Sequence, residues 1–323
     1  MRPLRQAARR NDLSPSARPG GASEAEVLAG IAELKRRRNA VVLAHNYQSP
    51  EVQDAADFVG DSLELSRKAA GLDADVIVFC GVHFMAETAA VLAPGKTVLL
   101  PEAGAGCPMA DMINARELRA WKERHPGLKV VCYVNTSAEV KAESDVCCTS
   151  SNAVAVVRSI DADTVLFVPD RNLAAFAARE TGKTVVAWDG YCHVHDRFTA
   201  RDVGRARDLH PGAEVWVHPE CRLEVIDAAD RALSTGKMVL EARTTSRRDI
   251  VVGTETGIIH RLAKENPAAA FHPLKGSAVC AHMKMTTLPK VLAALETDAH
   301  RVTVPPAVAD RARVAIEAML RIP

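Results

Sequence analysis

The 323-residue chain predicts an α/β fold of three related units, and two observations carry that expectation. Short β-branched runs alternate with helix-periodic stretches, the pattern of parallel strands joined by helical crossovers. The same markers also recur in the same order at separations of 88 and 85 residues, which is how tandem structural units announce themselves.

Along the chain, the first 25 residues are rich in Arg, Pro, Ser and Gly, and Pro3, Pro15 and Pro19 interrupt any helical periodicity. Residues 1–25 therefore read as a disordered extension. Strands are expected at 40–44, 76–79 and 97–100 in a first unit, 26–112, which the C-terminal helix of the chain joins. A helix is expected over 110–124 after Pro108, then strands at 130–134, 164–168 and 184–187 in a second unit, 113–198. Within that unit Asn172–Glu180 reads as a helix ending near Gly182. Strands at 214–217 and 249–252 belong to a third unit, 199–300, and 301–323 is expected to pack back on the body.

The repeat is visible residue by residue. Asp73 aligns with Asp161 at 88 residues, and Leu166 with Val251 at 85. Cys107, Cys192 and Cys280 end the same element of each unit, 85 and 88 apart. Ser62, Ser150 and Thr235 recur at 88 and 85, and "LAHNY", "CYVNT" and "WVHPE" close the first strand of each unit. Ligands of parallel α/β units gather beyond the carboxyl ends of strands. Three such units facing one another about a pseudo-threefold axis would aim three sets of strand ends at one cavity.

Bulk properties exclude several classes. The 41 basic and 40 acidic residues nearly cancel, so no global field suits nucleic acid. No run reaches the ~18 apolar residues of a membrane span, and no signal-peptide core is visible. The eight cysteines are therefore expected in a reducing cytosol, as buried thiols or metal ligands.

Three thiols at equivalent positions look like three ligands to one central cofactor. The chain has no Cys-X-X-Cys pair, the usual spacing of a structural zinc site. A [4Fe–4S] cluster held by Cys107, Cys192 and Cys280 fits better, leaving a fourth iron open as a Lewis acid. Cys80 and Cys132 lie within strand patterns, Cys147 and Cys148 open a turn, and Cys221 after "HPE" is the rival ligand. Two other readings stay open. Cys192, His193 and His195 could bind zinc in a hydrolase, or the chain could be a non-catalytic binder of small anions.

The polar residues suit acidic substrates. Ser62, Ser150 and Thr235 precede helix-like stretches and read as N-caps that would aim three helix starts, and their hydroxyls, at the cavity. His45 and Tyr47, Tyr133 and Asn135, and His218 and Glu220 end the first strands of the three units. Histidine, tyrosine and glutamate exchange protons, and asparagine holds a carboxylate or carbonyl.

The stretches "VVLAHNYQSPEVQDAADFVGDSLELSRKA", "GVHFMAETA", "AGCPMADM", "YVNTSAEVKAESDVCCTSSNAV", "PDRNL", "HPEC" and "GTETGIIHRL" resemble quinolinate synthase, over essentially residues 26–320. The resemblance implies three three-layer α/β/α domains in a pseudo-threefold triangle, with a [4Fe–4S] cluster at the base of the central cavity. It implies condensation of iminoaspartate with dihydroxyacetone phosphate to quinolinate, with loss of phosphate and two waters, in cytoplasmic NAD biosynthesis. An L-aspartate oxidase or aspartate dehydrogenase would supply the iminoaspartate. The cluster ligands fall on Cys107, Cys192 and Cys280. Substrate-binding residues fall on His45, Ser62, Tyr133, Val134, Asn135, Ser150, His218, Pro219, Glu220 and Thr235, and the acid–base residues on Tyr47, His45 and Glu220. At His193 the stretch "CHVH" departs from the "CPVH"-like pattern of the family.

Overall fold

The computed structural model describes residues 22–322. Most of the N-terminal extension, residues 1–21, lies outside them. The first helix starts at Glu24, inside the expected extension, because Ser23 and Glu26 form a reciprocal capping box.

Each unit runs helix–strand four times. The first contains α1 (Glu24–Arg37), β1 (Ala40–His45), α2 (Pro50–Ala55), β2 (Phe58–Gly60), α3 (Ser62–Ala70), β3 (Val76–Cys80), α4 (His83–Leu92) and β4 (Thr97–Leu99). The second contains α5 (Ala115–Arg124), β5 (Lys129–Tyr133), α6 (Ala138–Ala142), β6 (Val146–Cys148), α7 (Ala153–Ser159), β7 (Thr164–Val168), α8 (Arg171–Thr181) and β8 (Thr184–Ala187). The third contains α9 (Ala200–Leu209), β9 (Glu214–Val217), α10 (Leu223–Ala228), β10 (Arg231–Ala232), α11 (Thr235–Thr244), β11 (Asp249–Gly253), α12 (Ile258–Glu265) and β12 (Ala270–Pro273). Two helices follow, α13 (Leu288–Thr297) and α14 (Pro306–Leu320).

The three sheets share one strand order, β2-β1-β3-β4, β6-β5-β7-β8 and β10-β9-β11-β12, and every ladder is parallel. The fold is thus α/β in three related sheets with flanking helices, as the repeat predicts. The central strands are apolar through their middles, and β3 is buried at all five positions, as expected of parallel sheets covered on both faces.

Four short strands, β2, β6, β10 and β12, were not anticipated. They carry only two to four residues each. The helix expected over 110–124 is a 3-10 turn at Ala110–Met112 and then α5, because extended Ile113 breaks it and Asn114 caps a new start at Glu117 N–H.

The first and second units share one core, and α14 helps to join them. Its buried Ala309, Ala312, Ala315, Ile316 and Met319 are part of that core, and the helix lies on α6, β6 and α4. The segment Leu288–Thr297, read with the third unit, packs on α1 and β3 of the first. The third unit keeps separate cores on the two faces of its sheet. Among the described residues no helix is long and apolar enough to cross a membrane.

Candidate functional site

The strands β1, β5 and β9 point their carboxyl ends at one cavity. Its wall includes His45 and Tyr47, Tyr133 and Asn135, and His218 and Glu220, together with Ser62, Ser150, Thr235 and the three cysteines. Twelve of the fourteen site residues named from the sequence therefore meet in one enclosure. Val134 and Pro219 lie beside it. Val134 is buried and its N–H donates to the Cys148 carbonyl at 2.9 Å, whereas Pro219 lines an outer groove.

The three thiols are held alike. Each cysteine is followed by a 3-10 turn three residues on, Ala110–Met112, His195–Arg197 and Met283–Met285. The turns leave two backbone N–H groups beside each sulfur, near enough to lower its pKa. Met109 and Ala110 serve Cys107, Val194 and His195 serve Cys192, and His282 and Met283 serve Cys280. Burial pushes the Cys107 thiol up to about 12 and raises those of Cys192 and Cys280, with nearby acids and thiols adding to it. The amide pairs oppose that shift and would stabilise sulfur carrying negative charge. Such a donor set fits an iron–sulfur cluster, whose thiolates are tuned by hydrogen bonds to sulfur. The other five cysteines are buried, including the rival Cys221 in the core of the third unit.

The hydroxyl groups are not the caps they were expected to be. Asp61, one residue before Ser62, caps α3 through Leu63 and Glu64 N–H at 2.9 Å each, and Ser234, before Thr235, caps α11 through Lys237 N–H. In the second unit Thr149 Oγ1 accepts from Ser151 N–H at 3.2 Å. The residue ahead has extended geometry at α3 and α11 and takes the orphan amides. Ser62, Ser150 and Thr235 are thereby released to face the cavity. The capping residues also close the seam between units, since the Ser151 hydroxyl bonds Asp61 at 2.5 Å and Ser234 at 2.8 Å.

A chain of short hydrogen bonds crosses the cavity wall. The Tyr47 hydroxyl meets Thr254 Oγ1 at 2.5 Å, and His195 Nε2 meets the same oxygen at 2.7 Å. His195 Nδ1 lies 2.5 Å from Glu220 Oε2, and Tyr133 stands beside Glu220. Burial works against ionised Glu220, but His195 and His218 beside it, with Tyr133, reverse this and hold the carboxyl down to about 2. Burial, then the Glu220 charge, raises the Tyr47 hydroxyl well above its usual value. The ordered path tyrosine–threonine–histidine–glutamate can move a proton to or from a bound molecule at Tyr47.

His45 and His218 share a second local device. Nδ1 of each accepts the backbone N–H two residues on, from Tyr47 at 3.1 Å and Glu220 at 3.2 Å. That bond leaves the proton on Nε2, and His218 Nε2 donates to Ser150 Oγ at 3.1 Å. Burial holds both imidazoles at about 3, so they are neutral donors near neutral pH.

Thr254 escaped the sequence reading because its repeat equivalents, Gly81 and Pro169, are not hydroxyl residues. Asp170 and Glu255 escaped it although both are acids 85 residues apart. The zinc alternative changes membership, since the atoms that come within 4.8 Å belong to Cys192, His195 and Glu220 rather than His193. His195 Nδ1 faces both other members and its Nε2 is engaged by Thr254, an arrangement that suits a proton path.

Comparison with known proteins agrees with the resemblance carried by the motifs. The family described as quinolinate synthetase A protein matches residues 29–321. A quinolinate synthase of Dehalococcoides mccartyi strain CBDB1 is 60% identical over 292 residues, 90% of this chain and 97% of that protein. Those of Methanoregula boonei and Thermodesulfovibrio yellowstonii are 59% and 51% identical, each over 90% of this chain and 97% of their own. With its family match nearly chain-long and its relatives aligned almost end to end, the protein belongs to the quinolinate synthetase A family, NadA.

Proposed function

We propose that the chain condenses iminoaspartate with dihydroxyacetone phosphate to quinolinate, releasing phosphate and two waters, as a cytoplasmic step of NAD biosynthesis. The observation that carries this reading is one cavity shared by three thiols, one from each unit and each followed by a 3-10 turn, and the Tyr47–Thr254–His195–Glu220 path. Cys107, Cys192 and Cys280 would hold a [4Fe–4S] cluster through three of its irons. When bound, such a cluster supplies at its unliganded iron a Lewis acid for a hydroxyl that leaves as water.

The remaining work falls to side chains of this protein. Ser62, Ser150, Thr235 and Asn135 bind the carboxylates and the phosphate, with the starts of α3 and α11 adding partial positive charge. Neutral His45 and His218 donate from Nε2 to carboxylate or carbonyl oxygen without adding charge. Tyr47 gives and takes protons during isomerisation, imine formation and dehydration, and the Thr254–His195–Glu220 path restores its protonation between steps. The low Glu220 carboxyl keeps the far end of that path anionic. The functional partner is an L-aspartate oxidase or aspartate dehydrogenase that delivers iminoaspartate, a compound that water hydrolyses.

Anaerobically prepared protein supplied with dihydroxyacetone phosphate and enzymatically generated iminoaspartate should form quinolinate and phosphate in equal amounts. Glu220→Gln should lower kcat by about 10²-fold or more. No quinolinate from iron-replete protein contradicts the proposal, and full activity in Glu220→Gln removes that residue from the proton path.

A further inference from the structure

We infer that Glu255 and Lys284 are positioning residues that lock the Cys280 loop of the third unit to the Tyr47 loop of the first.

The starting point is a repeat that the named site does not use. Asp170 and Glu255 are repeat equivalents, each two residues beyond the end of β7 or β11. Each carboxylate accepts the backbone N–H of the site cysteine in its own unit. Cys192 donates to Asp170 Oδ2 and Cys280 to Glu255 Oε1, both at 3.2 Å. The first unit has Val82 at this position, so its cysteine loop is not held this way.

The two acids differ in their second attachment. Asp170 stays within its unit and caps α8 through Leu173 N–H at 2.7 Å. Glu255 instead accepts Gly257 N–H at 2.7 Å and pairs with Lys284 Nζ at 3.1 Å. Lys284 stands four residues after Cys280, and its ammonium crosses the seam to donate to the Tyr47 carbonyl. Gln53 makes a second crossing, donating from Nε2 to Asn46 O, Gln48 O and Gly257 O at 3.2, 2.9 and 2.9 Å. The carbonyls of 46, 47 and 48 are all engaged in this way. A Cβ at Gly257 would fall 2.5 Å from Lys284 Nζ and 2.7 Å from the Tyr47 carbonyl, so only glycine permits the approach.

Glu255 is fully buried, and removing Lys284 would strand its charge, which a buried carboxylate tolerates poorly. The pair therefore does more than hold two loops near each other. It ties a cysteine to the loop bearing Tyr47, while Thr254, the next member of the proton path, is the neighbour of Glu255 in sequence. The consequence for catalysis rests on the proposed function, whereas the coupling of the loops does not.

Lys284→Met, Glu255→Gln and, as comparison, Asp170→Asn separate these possibilities. Three readouts apply to the anaerobically prepared holoprotein. They are hydrogen exchange in peptides 44–53 and 278–286, the electron paramagnetic resonance of the reduced protein, and kcat with KM. Both variants of the pair should speed exchange in both peptides together and shift the resonance. They should also lower kcat about 10–100-fold, as outer residues around metal ligands do, with little change in KM. Lys284→Arg should recover part of each loss. Asp170→Asn should leave 44–53 at its wild-type rate. Unchanged exchange of 44–53 in Lys284→Met, or faster exchange spread evenly over the chain, overturns the inference. Wild-type protein that makes no quinolinate defeats the proposed function instead, and the exchange data still decide the coupling.

Discussion

Thr254 is the turning point of the proposed proton path, since its hydroxyl meets both Tyr47 and His195. Thr254→Val keeps the shape and removes the oxygen. The expected result is a fall in kcat of about 10²-fold with KM and folding nearly unchanged, and steady-state kinetics with a thermal melt check it. Its partners were easier to read. Tyr47, His45 and Glu220 stand at strand ends in register with one another, and the motifs around them carry the family resemblance. His195 was seen but read as a candidate zinc ligand, because one side chain's hydrogen bonds are not written in its spacing. His45 and His218 add a stability prediction. Their folded values near 3 lie below the ~6.5 of an unfolded histidine. Between those values the unfolded chain binds protons that the folded chain does not, so stability falls as pH falls below about 6.5. From pH 7 to 5 each histidine should cost about 2 kcal/mol. Urea unfolding of His218→Gln should show a shallower acid loss than wild type, and an equal loss would contradict the assignment.

At the level of elements, the helix starts separate stability from binding. Asp61 holds the cap of α3 and the seam to Ser151, while Ser62 holds neither. Asp61→Ala should therefore lower stability by ~1–2 kcal/mol. Ser62→Ala should leave the melting temperature unchanged and raise KM for an anionic substrate. A stability loss in Ser62→Ala would return the cap to that residue. At α3 and α11 the sequence placed the cap one residue late, because Asp-Ser and Ser-Thr offer two capping side chains side by side, and in the second unit α7 starts only at Ala153, beyond Ser150. Strands with long apolar runs, such as Val76–Cys80 and Thr164–Val168, were plain for a physical reason. Burial on both faces leaves no polar alternation to confuse them. The short edge strands had no such signal, since pairing with a neighbour rather than composition makes them strands.

Across the whole molecule, the 88- and 85-residue separations became three sheets of identical strand order. The repeat therefore exposed the architecture before any side-chain detail. It exposed less about how the chain wraps. Helix α13 follows Cys280 as α5 and α9 follow Cys107 and Cys192, yet it returns to the first sheet, and α14, which has no repeat partner, lies across the second unit and α4 of the first. The first two units share a core while the third keeps its own, an asymmetry that equal spacing hides. What unites the molecule is the convergence of one thiol from each unit on a single cavity. Anaerobic purification of the wild type and of single cysteine-to-alanine variants, with iron and sulfide counted per chain, tests that convergence directly. Wild type and Cys221→Ala should be brown and carry about four irons and four sulfides, and loss of Cys107, Cys192 or Cys280 should sharply reduce both. A colourless wild type, or a full cluster in Cys107→Ala or Cys280→Ala, would contradict the account.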